Sequence, residues 1–135
     1  MTPPTPATRR RPEAKIEFHV ERRPQLLRVA IRGEASFDQA EVLSAQLLRV
    51  PLDGVGLVVL DLAGLTFLSS LAMGALVSYR RGVGRRGVEV RLANVQDQVW
   101  SALESAGLGT LFERIDLEWP TPLPRLPPPA PSPPR

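Results

Sequence analysis

Leu57-Val58-Val59-Leu60-Asp61-Leu62-Ala63-Gly64-Leu65-Thr66-Phe67-Leu68-Ser69-Ser70-Leu71-Ala72-Met73-Gly74 is the stretch on which the fold turns. Among the strand-like segments of the chain, only Leu57 to Leu60 is apolar without interruption, the mark of a central strand. A short loop comes next, and a helix begins at a serine. That helix, Ser70 to Arg81, is apolar around most of its circumference through Leu71, Ala72, Gly74, Ala75, Leu76 and Val77. Such a helix is largely buried, and its small residues permit close approach to a sheet. The carboxyl ends of parallel strands are where α/β sheets place ligands and partners. A hydroxyl there lies beside unpaired backbone N–H groups and the positive end of the helix dipole, where a phosphate is tolerated.

Outward from this unit the chain alternates between two periods. Ile16, Phe18 and Val20 interleave with Glu17, His19 and Glu21, and Leu27, Val29 and Ile31 with Arg28, Ala30 and Arg32, giving two half-buried strands. The short link at Arg23-Pro24 predicts an antiparallel pair. Val88, Val90 and Leu92 form another alternating strand, and Ile115 and Leu117 a last one. Phe37, Ala40, Leu43 and Leu47 share a face of a first helix, which Asp38 or Ser36 could cap and Pro51 closes. Val99, Leu103 and Ala106 do the same for a third helix from Asp97, ended by Gly107.

The order is β-β-α-β-α-β-α-β: an α/β domain with a mixed, mostly parallel sheet of about five strands. Most strands keep a polar face, so the helices are expected on one side of the sheet only. Glu17, Glu21, Arg28, Arg32, Glu89 and Arg91 would then form a solvated lattice of cross-strand charge pairs on the other.

Composition divides the 135 residues into three. Of 15 prolines, four lie in residues 1–12 and nine in 120–134. Residues 1–13 and 119–135 are therefore expected to be disordered Pro-rich tails around a domain at 14–118. Residues 13–119 carry 12 basic and 14 acidic residues, so the net charge of +3 comes from the ends, and the folded part lacks the basic surface of a nucleic-acid-binding domain. There is no cysteine and one histidine, His19, which argues against a metal site, a disulfide framework and most histidine-based catalysis. No apolar run approaches the ~18 to 20 residues of a membrane span, and no secretory signal is evident. A soluble cytoplasmic protein without cofactor, and not an enzyme, is the expectation.

Val58-Val59-Leu60-Asp61-Leu62, then Leu65 to Gly74, later Val90-Arg91-Leu92-Ala93-Asn94-Val95 and Leu103-Glu104-Ser105-Ala106-Gly107-Leu108, together resemble the STAS domain of bacterial anti-sigma factor antagonists. The resemblance spans about residues 14–118. It implies a protein that binds an anti-sigma factor with serine kinase activity, releases the sigma factor, and is switched off by phosphorylation at this helix start; a serine phosphatase would reverse the switch. The family's Asp-Ser-Ser-Gly-Leu-Gly falls on Ser69-Ser70-Leu71-Ala72-Met73-Gly74, which makes Ser70 the phosphoacceptor, with Ser69 the alternative in the adjacent register. Ser69 replaces the family's aspartate, and Ser36 stands after Ala35 where another is frequent. Ser36, Leu68, Ser69, Leu71 and Met73 are the implied partner-binding residues. Without the resemblance, either serine is simply an N-cap.

Two other family members fit less closely: an accessory subunit of a lipid-transport ATPase complex, and a small-molecule or nucleotide sensor. Asp61 occupies the strand end where receiver domains phosphorylate an aspartate, but the acidic pair that holds their Mg²⁺ is missing, and bonds to loop N–H groups are expected instead. Arg80, Arg81, Arg85 and Arg86 complement the dipole of the second helix or form a patch for phosphate or anionic lipid. Trp100 and Trp119 read as packing residues, His19 as exposed, and Arg125 to Pro131 as part of a stiff tail that also fits an SH3-type ligand.

Overall fold

The computed structural model describes residues 16–116. The two expected tails, and with them Trp119 and the Arg125–Pro131 motif, lie outside the described residues.

Strict alternation in β1 (Glu17–Arg23) and β2 (Leu26–Ala35) gives the expected antiparallel pair, with Val20 opposite Val29 and Glu21 opposite Arg28. β3 (Leu57–Asp61) runs parallel to the first half of β2, β5 (Glu89–Ala93) parallel to β3, and β6 (Glu113–Ile115) parallel to β5. The spatial order β1-β2-β3-β5-β6 puts the apolar run at the centre, where Val58, Val59 and Leu60 are all buried.

The sheet has a sixth strand in the segment expected to be a loop. β4 (Leu65–Leu68) pairs with the second half of β2, matching Gly33 to Leu65, Glu34 to Phe67 and Ala35 to Leu68. The register shifts between Gly33 and Glu34, and Gly33 sits at φ 105, a conformation open to glycine. The bulge lets one long strand serve two partners. β4 buries Leu65 and Leu68 and exposes Thr66 and Phe67, so it shows no period-two signal.

The helices follow their apolar stripes with three corrections. α1 (Ala40–Arg49) buries Ala40, Leu43 and Leu47, but Phe37, expected on that face, is 72% exposed. It belongs to a preceding 3-10 turn, Phe37–Gln39, whose three residues per turn rotate it off the stripe. α2 (Ser70–Gly84) runs three residues beyond its expected end and buries Ala72, Met73, Leu76, Tyr79 and Val83, while Leu71 and Gly74 remain exposed. It is one-sided rather than apolar all round. α3 (Asp97–Ser105) buries Val99 and Leu103, and Ala106 falls at the exposed C-cap. Gly107 at φ 78 closes α3, with Leu108 N–H donating to the Leu103 carbonyl and Gly107 N–H to that of Glu104, each at 2.9 Å.

One cluster of buried apolar residues joins Leu27, Val29, Val58, Leu60, Val90 and Leu92 to all three helices, so the helices share one face of the sheet. The opposite face departs from a solvated charge lattice at its centre. Glu17, Arg32 and Glu89 are exposed, but Arg28 is only 4% exposed and Asp61 only 3%. Both Nε and Nη2 of Arg28 donate to Asp61 Oδ2, at 3.1 and 2.6 Å, and Nη1 donates to Glu21 Oε1 at 3.1 Å. Ala30, Val59 and Ala93 on the same face are buried as well. Small and apolar neighbours leave the guanidinium little water, and a carboxylate across the β2–β3 pair replaces it.

Breaking a buried ion pair from one side leaves an uncompensated charge. Arg28→Ala or Asp61→Ala should therefore lower stability by about 3–5 kcal/mol, measured by denaturant unfolding, whereas Arg28→Met with Asp61→Leu should cost less than either. Tyr79 supplies a contrasting case. Its hydroxyl is buried without a hydrogen-bond partner among the described residues. Burial pushes its phenol pKa up, against the opposing pull of the Arg86 charge. Because the fold favours the protonated phenol, this group's contribution is complete below the free phenol's pKa of about 10 and is lost as pH rises past it. Tyr79→Phe is expected to stabilise by about 1 kcal/mol at neutral pH and to flatten the alkaline decline in thermal melts.

Candidate functional site

Asp61 ends β3 and shapes the loop beyond it. Its Oδ1 accepts the Ala63 N–H at 3.0 Å and the Asn94 side-chain amide at 3.3 Å. The Gln96 side chain donates to the Ala63 carbonyl at 2.7 Å. The chain then crosses to β2: Gly33 N–H donates to the Gly64 carbonyl at 2.9 Å, and Thr66 Oγ1 to the Gly33 carbonyl at 3.2 Å. A Cβ at Gly64 would lie 2.8 Å from Arg32 Cγ, so the crossing is closest at a glycine. Ser69 N–H donates to the Ala35 carbonyl at 2.9 Å, which fastens the start of α2 to the end of β2.

The two serines have different duties. Ser69 has extended backbone, φ −73 and ψ 163, and its Oγ accepts the Ala72 N–H at 3.1 Å, so it is the N-cap. Ser70 is the first helical residue and is exposed. Aspartate and serine are equally good N-caps, so Ser69 keeps the structural part of an aspartate's role there without its charge.

The apolar rim differs from the expected one. Leu71 is half exposed, but Leu68 and Met73 are buried in the core, where they hold the helix start against the sheet. Phe67 and Phe37 are exposed in their stead. Phe67 neighbours Glu34 in the ladder, and Phe37 comes two residues after Ala35, itself paired with Leu68. Phe37, Phe67, Leu71 and Ser70 thus all emerge around the Ala35–Leu68–Ser69 junction. Ser36 is half-buried, and its Oγ donates to the exposed Asp38 carboxylate at 2.8 Å. Neither side chain caps the first helix, contrary to expectation. Leu71 also lines a groove of about 450 Å³ between α1 and α2, shared with Ala40, Gly74 and Ala75.

The remaining candidates resolve more simply. Asp61 does bond to a loop N–H, and its buried pairing with Arg28 leaves no open carboxylate for receiver-type chemistry. No cluster of three metal-ligating side chains occurs among the described residues, and no helix of theirs is long and apolar enough to cross a membrane. Trp100 packs on the core with the Arg114 guanidinium 5.1 Å from its ring centroid, and His19 is half-buried rather than exposed.

Because Ser69 alone satisfies a helix donor, Ser69→Ala should cost about 1 kcal/mol. Ser70→Ala should stay within about 0.5 kcal/mol of wild type. Parallel urea melts separate the two roles.

The family model described as STAS domain matches residues 17–119. Among solved structures, an anti-sigma factor antagonist from Mycobacterium paratuberculosis is 22% identical with a TM-score of 0.67, covering 82% of this chain and 90% of its own. The anti-sigma factor antagonist SpoIIAA in its unphosphorylated form is 18% identical with a TM-score of 0.61, over 76% of this chain and 89% of its own. A sulfate transporter family protein from Wolinella succinogenes is 20% identical with a TM-score of 0.59, over 68% and 76%. No curated protein matches the chain. At these identities the structural likenesses speak for the fold alone. The family match covers all the described elements from β1 to β6, and the chain belongs to the STAS domain family.

Proposed function

We propose that this protein is a non-enzymatic regulatory module, an anti-sigma factor antagonist that binds an anti-sigma factor with serine kinase activity and is released when Ser70 is phosphorylated. The observation that carries this reading is the division of labour at the start of α2: Ser69 holds the cap, so the Ser70 hydroxyl is exposed and free of structural duty. Phe37, Phe67 and Leu71 supply exposed apolar surface around it.

The chemistry of such a switch needs no rearrangement of the domain. A phosphate on Ser70 brings a charge of about −1.5 to −2 to the N-terminal end of α2, where the helix dipole favours it. The unbound domain thus tolerates the modification. A bound partner burying the same apolar rim would have to desolvate a dianion, and each 1.4 kcal/mol of that penalty weakens binding about tenfold. Removal of the phosphate by a serine phosphatase restores the surface. With Ser69 rather than aspartate beside it, the phosphate meets one less like charge.

The fold is shared with a transporter family protein, so it does not choose between this reading and a second one. In the second, the same apolar surface docks on an ATPase subunit of a transport assembly, and Ser70 is buried in the contact.

Incubation of the protein with each anti-sigma factor kinase of its source organism and ATP, followed by phosphosite mapping, tests the proposal. Phosphate is expected on Ser70. Wild type and Ser70→Ala should retain the kinase in a pull-down, and Ser70→Asp should lose it. Absence of phosphate from both Ser70 and Ser69 would sink the switch. Recovery of an ATPase and a permease without any such kinase would favour the second reading.

A further inference from the structure

The C-terminal end of α2 carries Arg80, Arg81, Arg85 and Arg86 within seven residues. One cation in the last turn suffices to complement the helix dipole, and Arg81 occupies that place. The others call for a different account. Arg80, Arg81 and Arg85 line a cavity of about 620 Å³ between the end of α2, β5 and β6. None of the three forms an ion pair among the described residues.

Two acids, Glu89 and Glu113, line the same cavity. Alternation along β5 turns Val88 and Val90 toward the helices and Glu89 and Arg91 away from them. Arg91 holds Glu89 at 3.0 Å and Glu113 at 3.2 Å on that far side. Arg91 answers one of these two negative charges, so the three arginines of the lining face a single leftover carboxylate charge and the cavity stays net positive.

Apart from the hydroxyl of Thr110, the rest of the lining is apolar. Val88, Val90 and Phe112 are each buried against the core. The Arg80 guanidinium carbon lies 6.0 Å from the Phe112 ring centroid, a contact that orients its fork over the cavity floor. At Gly84 a Cβ would meet nothing within 4 Å, so the helix end adds no bulk. The volume falls within the range of about 300–1,000 Å³ usual for small-molecule sites.

We propose that this cavity binds a small organic phosphate: the dianionic phosphate against Arg80, Arg81 and Arg85, and an apolar or aromatic body on Val88, Val90 and Phe112. Guanidinium forks match phosphate oxygens in pairs, and three of them suit a group with three terminal oxygens. Concavity and the apolar floor favour a discrete molecule over a flat anionic surface. The site lies at the opposite end of the fifteen-residue α2 from Ser70, and the proposal does not rest on the phosphoswitch.

The test is a titration of the full ¹⁵N-labelled chain with phenyl phosphate, with phenol as the neutral control, followed by amide chemical shifts. Saturable shifts confined to residues 80–90 and 110–113 are expected with phenyl phosphate and not with phenol. Arg80→Gln and Arg85→Gln should each weaken binding about tenfold while leaving the remaining spectrum unchanged, and Ser70→Asp should bind as wild type does. Shifts that do not saturate, that occur equally with phenol, or that survive both arginine substitutions overturn the proposal. Vesicles of phosphatidic acid, a lipid phosphomonoester, in phosphatidylcholine separate the sources: binding that phenyl phosphate displaces assigns the site to a lipid headgroup's phosphate. Vesicle binding indifferent to phenyl phosphate overturns the cavity in favour of a surface patch.

Discussion

The Arg28–Asp61 pair is the constraint around which the sheet and its functional end are arranged. A guanidinium and a carboxylate, each nearly removed from water, are tolerable together only when their hydrogen-bonding capacity is met. Asp61 receives two bonds from Arg28, one from the Ala63 N–H and one from Asn94. These bonds reach into β2, the loop after β3 and the end of β5. The same carboxylate therefore ties three neighbouring strands at one level and fixes the direction in which the chain leaves β3. The crossing at Gly64, the short β4 and the start of α2 all inherit that direction.

A similar economy governs the start of α2. A helix end needs an acceptor for its first N–H groups, and a hydroxyl of the kind proposed for phosphorylation needs exposure; one side chain serves both poorly. Two adjacent serines separate the tasks, Ser69 turned to the Ala72 N–H and Ser70 to solvent. The apolar side chains divide in the same manner. Leu68 and Met73 anchor the helix start in the core, and Phe67, Leu71 and Phe37 remain outside. The anchored side chains and the exposed ones proposed for docking thus lie next to each other along the chain.

Much of this was legible in the residues. The apolar run Leu57–Leu60 marks the central strand because only a strand buried on both faces tolerates four successive apolar side chains. Alternation in β1, β2 and β5 reports one core-facing side. The Ser69-Ser70 pair before an apolar helix locates the candidate site. Phe37 and β4 were hidden for physical reasons: a 3-10 turn shifts a residue off a stripe that assumes 3.6 residues per turn, and a four-residue strand with both central residues exposed has no alternation to detect. Arg28 was hidden differently, since an arginine in an alternating strand looks solvated until its partner, thirty-three residues later, is known.

The sequence by itself determined the α/β class, the order of all but one strand, the three helices and the serine-led turn. Those features rest on local periodicity, which a chain carries in itself. Tertiary structure alone decided which serine caps, which apolar residues stay exposed and how the open face of the sheet is held. Each of those depends on a pairing between distant segments: Gly33–Ala35 with β4, Arg28 with Asp61, Glu113 with Arg91. A hydrophobic pattern says that a residue will be buried; only the partner across the fold says against what.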